Sequence, residues 1–179
     1  MLAVLHTNLW KENRMHLRKA TAIATATLGL LSFASPASAG ESAWRFISSA
    51  ANSTQVLDAE EHGIKDGTVI LSFTAHPNTD PDNQLWQLLD RKGDRVAIQG
   101  KESGKCITAG PTRNDFLTLQ TCNRKNKRQQ WLAHPQRLQR LIFENKRFHG
   151  HCLTFLNTNS PVGLEECDGA TDQKWRITH

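Results

Sequence analysis

The 179-residue sequence has no apolar run long enough to cross a bilayer, so no spanning helix is expected. Tyrosine is absent and aromatic residues make up only 7% of the chain, which argues against the arrays of stacking rings that track single-stranded nucleic acid. Cysteine is scarce: Cys106, Cys122, Cys152 and Cys167 are the four present. None forms the close Cys-x-x-Cys pair that offers a metal two ligands from one turn, so no metal site is expected. The local signatures of catalysis are missing as well. There is no Gly-x-Ser-x-Gly, no His-Glu-x-x-His and no phosphate-cradling glycine loop, and the sequence gives no reason to expect an enzyme or a cofactor. Beyond residue 40 no segment sustains a helical apolar period over several turns, which leaves an all-β fold class.

A shorter apolar stretch does stand near the N-terminus. Arg18 and Lys19 precede residues 20–33, which are apolar or small, and Ala37-Ser38-Ala39 follows before Gly40. A basic region, a hydrophobic region and an A-x-A cleavage site in that order describe a secretory signal peptide. Residues 1–39 are therefore expected to be a leader, with Met15 as a candidate true start, and residues 40–179 to be a secreted, extracellular domain. Without the leader the 22 basic and 17 acidic residues fall to 18 and 16, a net charge of +2 in place of +5. Much of the basicity thus belongs to the leader, and it supplies no argument for nucleic acid.

The chain is organised by an internal repeat. Gln84-Leu85-Trp86, Gln129-Gln130-Trp131 and Gln173-Lys174-Trp175 share the pattern Q-x-W, with tryptophans 45 and 44 residues apart. Cys106 and Cys122 lie 25 and 9 residues before Trp131, and Cys152 and Cys167 lie 23 and 8 before Trp175. Four cysteines permit three pairings. Repeats of one design should close the same local loop, which selects the disulfides Cys106–Cys122 and Cys152–Cys167, each worth about 3 kcal/mol. In the first repeat the equivalent places hold Val56 and Ala75, a small apolar pair.

Between these markers, residues 43–48, 68–75, 85–89, 95–99, 116–121, 130–133, 140–144 and 174–178 read as short strands bounded by Gly, Pro, Asn and Asp. Residues 58–65 are the one place for a turn of helix. Three all-β repeats, none able to bury its apolar face alone, should close around a common core, with boundaries near 43–90, 91–135 and 136–179.

Three Q-x-W units, two of them preceded by Cys106-Ile107 or Cys152-Leu153, resemble the ricin-type (R-type) lectin family over residues 43–179. The resemblance implies a β-trefoil fold, with Trp86, Trp131 and Trp175 in a shared structural core. It also implies a sugar pocket in each repeat. Its members are an Asp two residues after the first cysteine position, an aromatic two before the second, and an Asn beside the motif Gln. Such a set suits a sugar: Asp accepts two hydroxyls, Asn both donates and accepts, and the ring supplies a flat apolar face.

In the first repeat those places hold Asp58, Phe73 and Asn83, beside Gln84, so this repeat is the candidate sugar-binding site. The second repeat holds Thr108, Gln120 and Arg128, and the third Thr154, Glu165 and Asp172; neither has a platform ring, and both pockets are expected to be silent. Galactose-type sugars are the glycan expected from the resemblance. A single shallow site should bind at around millimolar strength, and self-association or a protein partner would supply avidity. The alternative is a lectin frame turned to protein interaction, as in accessory subunits of toxins, with the sugar site vestigial.

Two further features stand outside the repeat. His62, His76, His134, His149, His151 and His179 have no evident nucleophile partner and read as exposed loop residues. Charge is also polarised: Arg124-Lys125-Asn126-Lys127-Arg128, with Arg137, Arg140, Lys146 and Arg147, opposes Asp58, Glu60, Glu61, Asp66, Asp80 and Asp82 in the first repeat. The basic side is either a solvated face or a contact for an acidic polymer or partner.

Overall fold

The computed structural model describes residues 44–92 and 94–178, with the side chains of 90–92 also outside the description. The expected leader, its cleavage site, Met15 and His179 lie outside the described residues. What is described is all β apart from four single-turn 3-10 helices.

Six strands form a barrel: β1 (Phe46–Ser49), β4 (Trp86–Lys92), β5 (Arg95–Gly100), β8 (Trp131–Gln136), β9 (Arg140–Asn145) and β13 (Trp175–Thr178). They pair antiparallel in the order β4-β5-β8-β9-β13-β1. A bridge between Arg45 and Trp86, with both N–H···O bonds at 2.9 Å, joins the two ends. Closure leaves the barrel no open edge, which is how an antiparallel sheet avoids exposing unpaired backbone groups.

Three hairpins cover one end: β2 (Gln55–Ala59) with β3 (Ile70–Thr74), β6 (Cys106–Thr108) with β7 (Thr118–Gln120), and β10 (His151–Thr154) with β12 (Gly163–Glu166). The short strand β11 (Ser160–Pro161) ties the third repeat to β3. At the centre of this cap Ile70 donates its N–H to the Leu117 carbonyl and accepts from Val162 N–H, so one residue joins all three repeats. Four strands per repeat, taken three times, make a β-trefoil.

The core lies between barrel and cap. Trp86, Trp131 and Trp175 are at most 1% exposed, and Leu57, Ile70, Ile107, Leu117, Leu119, Phe143, Leu153 and Val162 pack among them. Each indole N–H must find an acceptor there. Trp86 donates to the Leu57 carbonyl at 2.9 Å, Trp131 to Ile107 at 3.4 Å and Trp175 to Leu153 at 2.9 Å, the same bond made three times. Both disulfides join the cysteines matched by repeat position, Cys106 to Cys122 and Cys152 to Cys167, and no free cysteine is left.

The strand pattern differs from the sequence reading in particular places. The segment Gln55–Ala59, buried on both faces, lacks the alternation that marks a half-buried strand, and it is strand β2. Phe116 and Leu117 lie outside β7, because Leu117 is held in the cap by Ile70. Within 58–65 only Glu60–His62 turns, as a single 3-10 turn; Asp58 and Ala59 belong to β2.

Candidate functional site

The motif glutamines act as clamps on the loop that precedes each tryptophan. Gln84 donates through Nε2 to the Thr74 carbonyl and accepts at Oε1 from His76 N–H, both at 3.0 Å, and so brackets Ala75. Gln129 brackets Cys122 in the same way, donating to the Thr121 carbonyl at 3.1 Å and accepting from Asn123 N–H at 2.7 Å. Gln173 brackets Cys167 through the Glu166 carbonyl at 2.7 Å and Asp168 N–H at 3.1 Å. Each glutamine closes its own 3-10 turn, Asp82–Gln84, Lys127–Gln129 and Thr171–Gln173. Cross-strand register agrees with this alignment: Val56 faces Phe73, Cys106 faces Gln120 and Cys152 faces Glu165. Ala75 therefore occupies a cysteine's place, and Asp58, Thr108 and Thr154 have matching positions.

Those matching positions carry different chemistry. Thr108 bonds back to the Cys106 carbonyl at 3.0 Å and accepts from Gln129 Nε2 at 3.0 Å; Thr154 bonds back to the Cys152 carbonyl at 2.8 Å. Both hydroxyls are thus spent inside the frame. Arg128 reaches the Ala109 carbonyl at 3.4 Å, where the first repeat has an amide.

In the first repeat, β2 ends by presenting Asp58, which is 3% exposed. Its Oδ2 accepts from Gln84 Nε2 at 2.7 Å and from Asn83 Nδ2 at 3.1 Å. Asn83 Nδ2 also donates to the Ala59 carbonyl at 3.2 Å, while Asn83 Oδ1 is buried without a hydrogen-bond donor among the described residues. Phe73, on β3, is 37% exposed. Asp58, Phe73 and Asn83 share the wall of one open cavity of about 390 Å³, also lined by Glu60, Glu61, His62, Leu71 and His76. Gln84 stands behind that wall and holds the carboxylate from the core side. Burial pushes the Asp58 carboxyl above the usual aspartate value of 3.8, opposed by the Gln84 hydrogen bond, the positive character of His76 and His62, and the Asn83 hydrogen bond.

The two histidines are the wall residues that the sequence left unassigned. His76 Nδ1 lies 3.0 Å from the Thr79 carbonyl, which can only accept, so Nδ1 carries the proton and Nε2 faces Asp58 Oδ2 at 3.8 Å. His62 is tied to Glu102 at 3.1 Å, and its ring centroid is 6.2 Å from that of His76. Glu61 and His62 both take left-handed backbone angles, φ 51° and 55°, at a cost of roughly 1–2 kcal/mol per residue. A usable signal for His76 existed, since it directly follows the second cysteine position. Elsewhere His134 and His149 both bond Glu144; His149 is exposed in a turn, as expected, whereas His134 lies on β8 and is not a loop residue. Among the described residues no group of three or more His, Cys, Asp or Glu side chains is placed to hold a metal ion.

Residues 82–163 match the family model described as "Ricin-type beta-trefoil lectin domain-like". Over those residues the chain is similar to ricin-type β-trefoil lectin-like domains. Solved structures agree on the β-trefoil fold. A designed three-fold symmetric protein, ThreeFoil, is 18% identical, with a TM-score of 0.68 over 76% of this chain and 99% of its own. A chain of the Haemophilus ducreyi cytolethal distending toxin is 19% identical, with a TM-score of 0.66 over 78% and 85%. The C-half of an earthworm R-type lectin, solved in complex with GalNAc, is 18% identical, with a TM-score of 0.60 over 75% and 97%. No curated protein sequence matches the chain. Among the described residues no helix is long and apolar enough to cross a membrane.

Proposed function

We propose that this lectin-like domain is a secreted, non-catalytic carbohydrate-binding protein with one working pocket, in the first repeat, and a preference for galactose-type sugars. The observation that carries this reading is the convergence of a carboxylate, an amide and an exposed ring on one cavity. Asp58 supplies oxygen acceptors for two sugar hydroxyls, Asn83 a further polar contact, and Phe73 the apolar face; Gln84 holds Asp58 in place. The other two repeats, with their threonines spent on backbone carbonyls, offer no such set. Galactose-type preference is supported by the GalNAc complex of the earthworm lectin half. Export is supported by the two disulfides, which persist in oxidising compartments. The test is a glycan array followed by titration with the preferred sugar. Binding of a galactoside that disappears in Asp58→Ala is expected; binding that survives the substitution would remove the assigned pocket.

A second reading makes the frame a protein-interaction subunit with a vestigial pocket. It draws on the toxin chain, 85% of whose length is matched, so that the likeness extends over nearly a whole polypeptide. Recovery of a stoichiometric protein partner from the native medium, with no glycan bound on the array, would favour it.

A further inference from the structure

The loops that run from the second cysteine position to the motif glutamine are built alike in all three repeats, yet only one of them is basic. In the first repeat this loop carries Asp80 and Asp82, and in the third Asp168 and Asp172. In the second it reads Asn123-Arg124-Lys125-Asn126-Lys127-Arg128. Its closure uses neutral groups: Asn126 Oδ1 accepts from Arg128 N–H at 3.0 Å, Asn123 Oδ1 from Lys125 N–H at 2.9 Å, and Gln129 Oε1 from Asn123 N–H at 2.7 Å. The frame therefore has no need of cations here, since the same glutamine clamp closes loops that carry acidic residues in the other two repeats.

The following hairpin adds to the same surface. Gln130 donates through Nε2 to the Arg124 carbonyl at 2.8 Å, and the Gln130 carbonyl accepts from Lys146 N–H at 2.9 Å. Asn145 donates to the Arg128 carbonyl at 3.1 Å and accepts from Arg147 N–H at 3.0 Å. These bonds bring Arg124, Lys125, Lys127 and Arg128 of the second repeat together with Lys146 and Arg147 at the start of the third. Arg124, Lys125, Lys127 and Arg147 are exposed, and none of the six lies in an ion pair among the described residues. The acid nearest in the register, Glu144, is already engaged by His134 and His149. Like charges crowded without carboxylates repel one another, and a polyanion that lies across them relieves the repulsion.

We propose that this basic surface is a second ligand site, independent of the first-repeat pocket, that binds a sulfated polysaccharide. Arginine and lysine together suit sulfate oxygens, through forked hydrogen bonds and point charge respectively. Single-stranded nucleic acid is disfavoured because the loop itself offers no ring for a base to stack on, and Phe148 lies beneath Arg147 at 5.9 Å from its guanidinium carbon. A membrane is disfavoured because residues 123–128 include no apolar side chain to insert.

The experiment titrates the full chain with a heparin dodecasaccharide, its desulfated counterpart, a charge-matched single-stranded DNA and phosphatidylserine vesicles. It does so at low and high salt, with a galactoside as a separate arm. The variant Arg124→Gln/Lys125→Gln/Lys127→Gln/Arg147→Gln changes exposed side chains only and leaves residues 1–39 untouched, so any contribution of the basic N-terminus is constant. Heparin binding is expected to weaken by about tenfold or more between 50 and 300 mM salt, to fall by a similar factor in the variant, and to exceed that of the desulfated chain. Thermal melting of the variant checks that it is folded, and its galactoside response should match that of the parent protein. Heparin binding that is absent, indifferent to sulfation or unchanged in the variant overturns the proposal, as does equal or tighter binding of the DNA or the vesicles. Loss of the galactoside response alone would count against the first-repeat pocket and leave this surface standing.

Discussion

Asp58 Oδ2 lies 2.7 Å from Gln84 Nε2, so the carboxylate assigned to the ligand is first of all held by the motif that builds the frame. Under the proposed function, structure and recognition share one hydrogen bond, and substitution of either residue should register in both. Asp58→Ala leaves Gln84 Nε2 with the Thr74 carbonyl and Asn83 Nδ2 with the Ala59 carbonyl, so the two amides are not orphaned. The expected result is a loss of about 1–3 kcal/mol in denaturant unfolding together with loss of galactoside binding. Unchanged stability with lost binding would show that the shared bond carries no structural weight.

Binding should depend on pH through the same group. Burial raises the Asp58 carboxyl above 3.8, so it takes up a proton at a higher pH than an exposed aspartate does. Galactoside affinity should therefore fall on acidification, with a midpoint above 3.8 in a calorimetric pH series. The stability contribution has the opposite sign. A carboxyl with a raised folded-state value stabilises most below its unfolded value, and that contribution is lost as pH rises through the folded one. Asp58→Asn should thus lose binding while flattening this part of the stability profile.

Phe73 is partly exposed at the cavity wall, where the proposed function gives it the ligand's apolar face. Phe73→Ala is expected to weaken galactoside binding by roughly fivefold, the equivalent of about 1 kcal/mol of ring contact, with a much smaller change in melting. Phe73→Trp should hold or improve the affinity. A loss of stability that outweighs the loss of binding would reassign the ring to the core.

The three indoles are not equally anchored. Trp86 and Trp175 donate at 2.9 Å, Trp131 at 3.4 Å. Each Trp→Phe change removes buried area and leaves a carbonyl without its donor, for an expected loss of about 2–4 kcal/mol. The loss should be smallest at Trp131, as read from chemical denaturation of the three variants side by side.

Removing one disulfide by paired Cys→Ser substitution should cost about 3 kcal/mol, and similar amounts at Cys106–Cys122 and Cys152–Cys167, because the loops they close span 16 and 15 residues. Unfolding in the absence of reductant measures this directly. A marked inequality would show that the two cross-links constrain unequal parts of the unfolded chain.

Much of this protein could be read before folding, for a definite reason. A three-fold repeat confers equivalent environments on equivalent positions, so the spacing of Trp86, Trp131 and Trp175 carried the three repeats around one core, the family resemblance added the trefoil, and the offsets of four cysteines carried both disulfides. The alignment of Phe73 with Gln120 and Glu165 came from the family resemblance, with a longer loop allowed in the first repeat, and the strand register agrees with it. Other features were decided in three dimensions. Strand β2 is buried on both faces and shows no alternation, so its periodicity was silent. His62 and His76 come to one cavity wall, with ring centroids 6.2 Å apart, only once a left-handed turn has placed the first and the Gln84 clamp the second. The basic loop is legible as letters, but its fusion with Lys146 and Arg147 depends on hydrogen bonds across β8 and β9. Local pattern determines which segments must be alike; the closing of the barrel determines which of their differences meet.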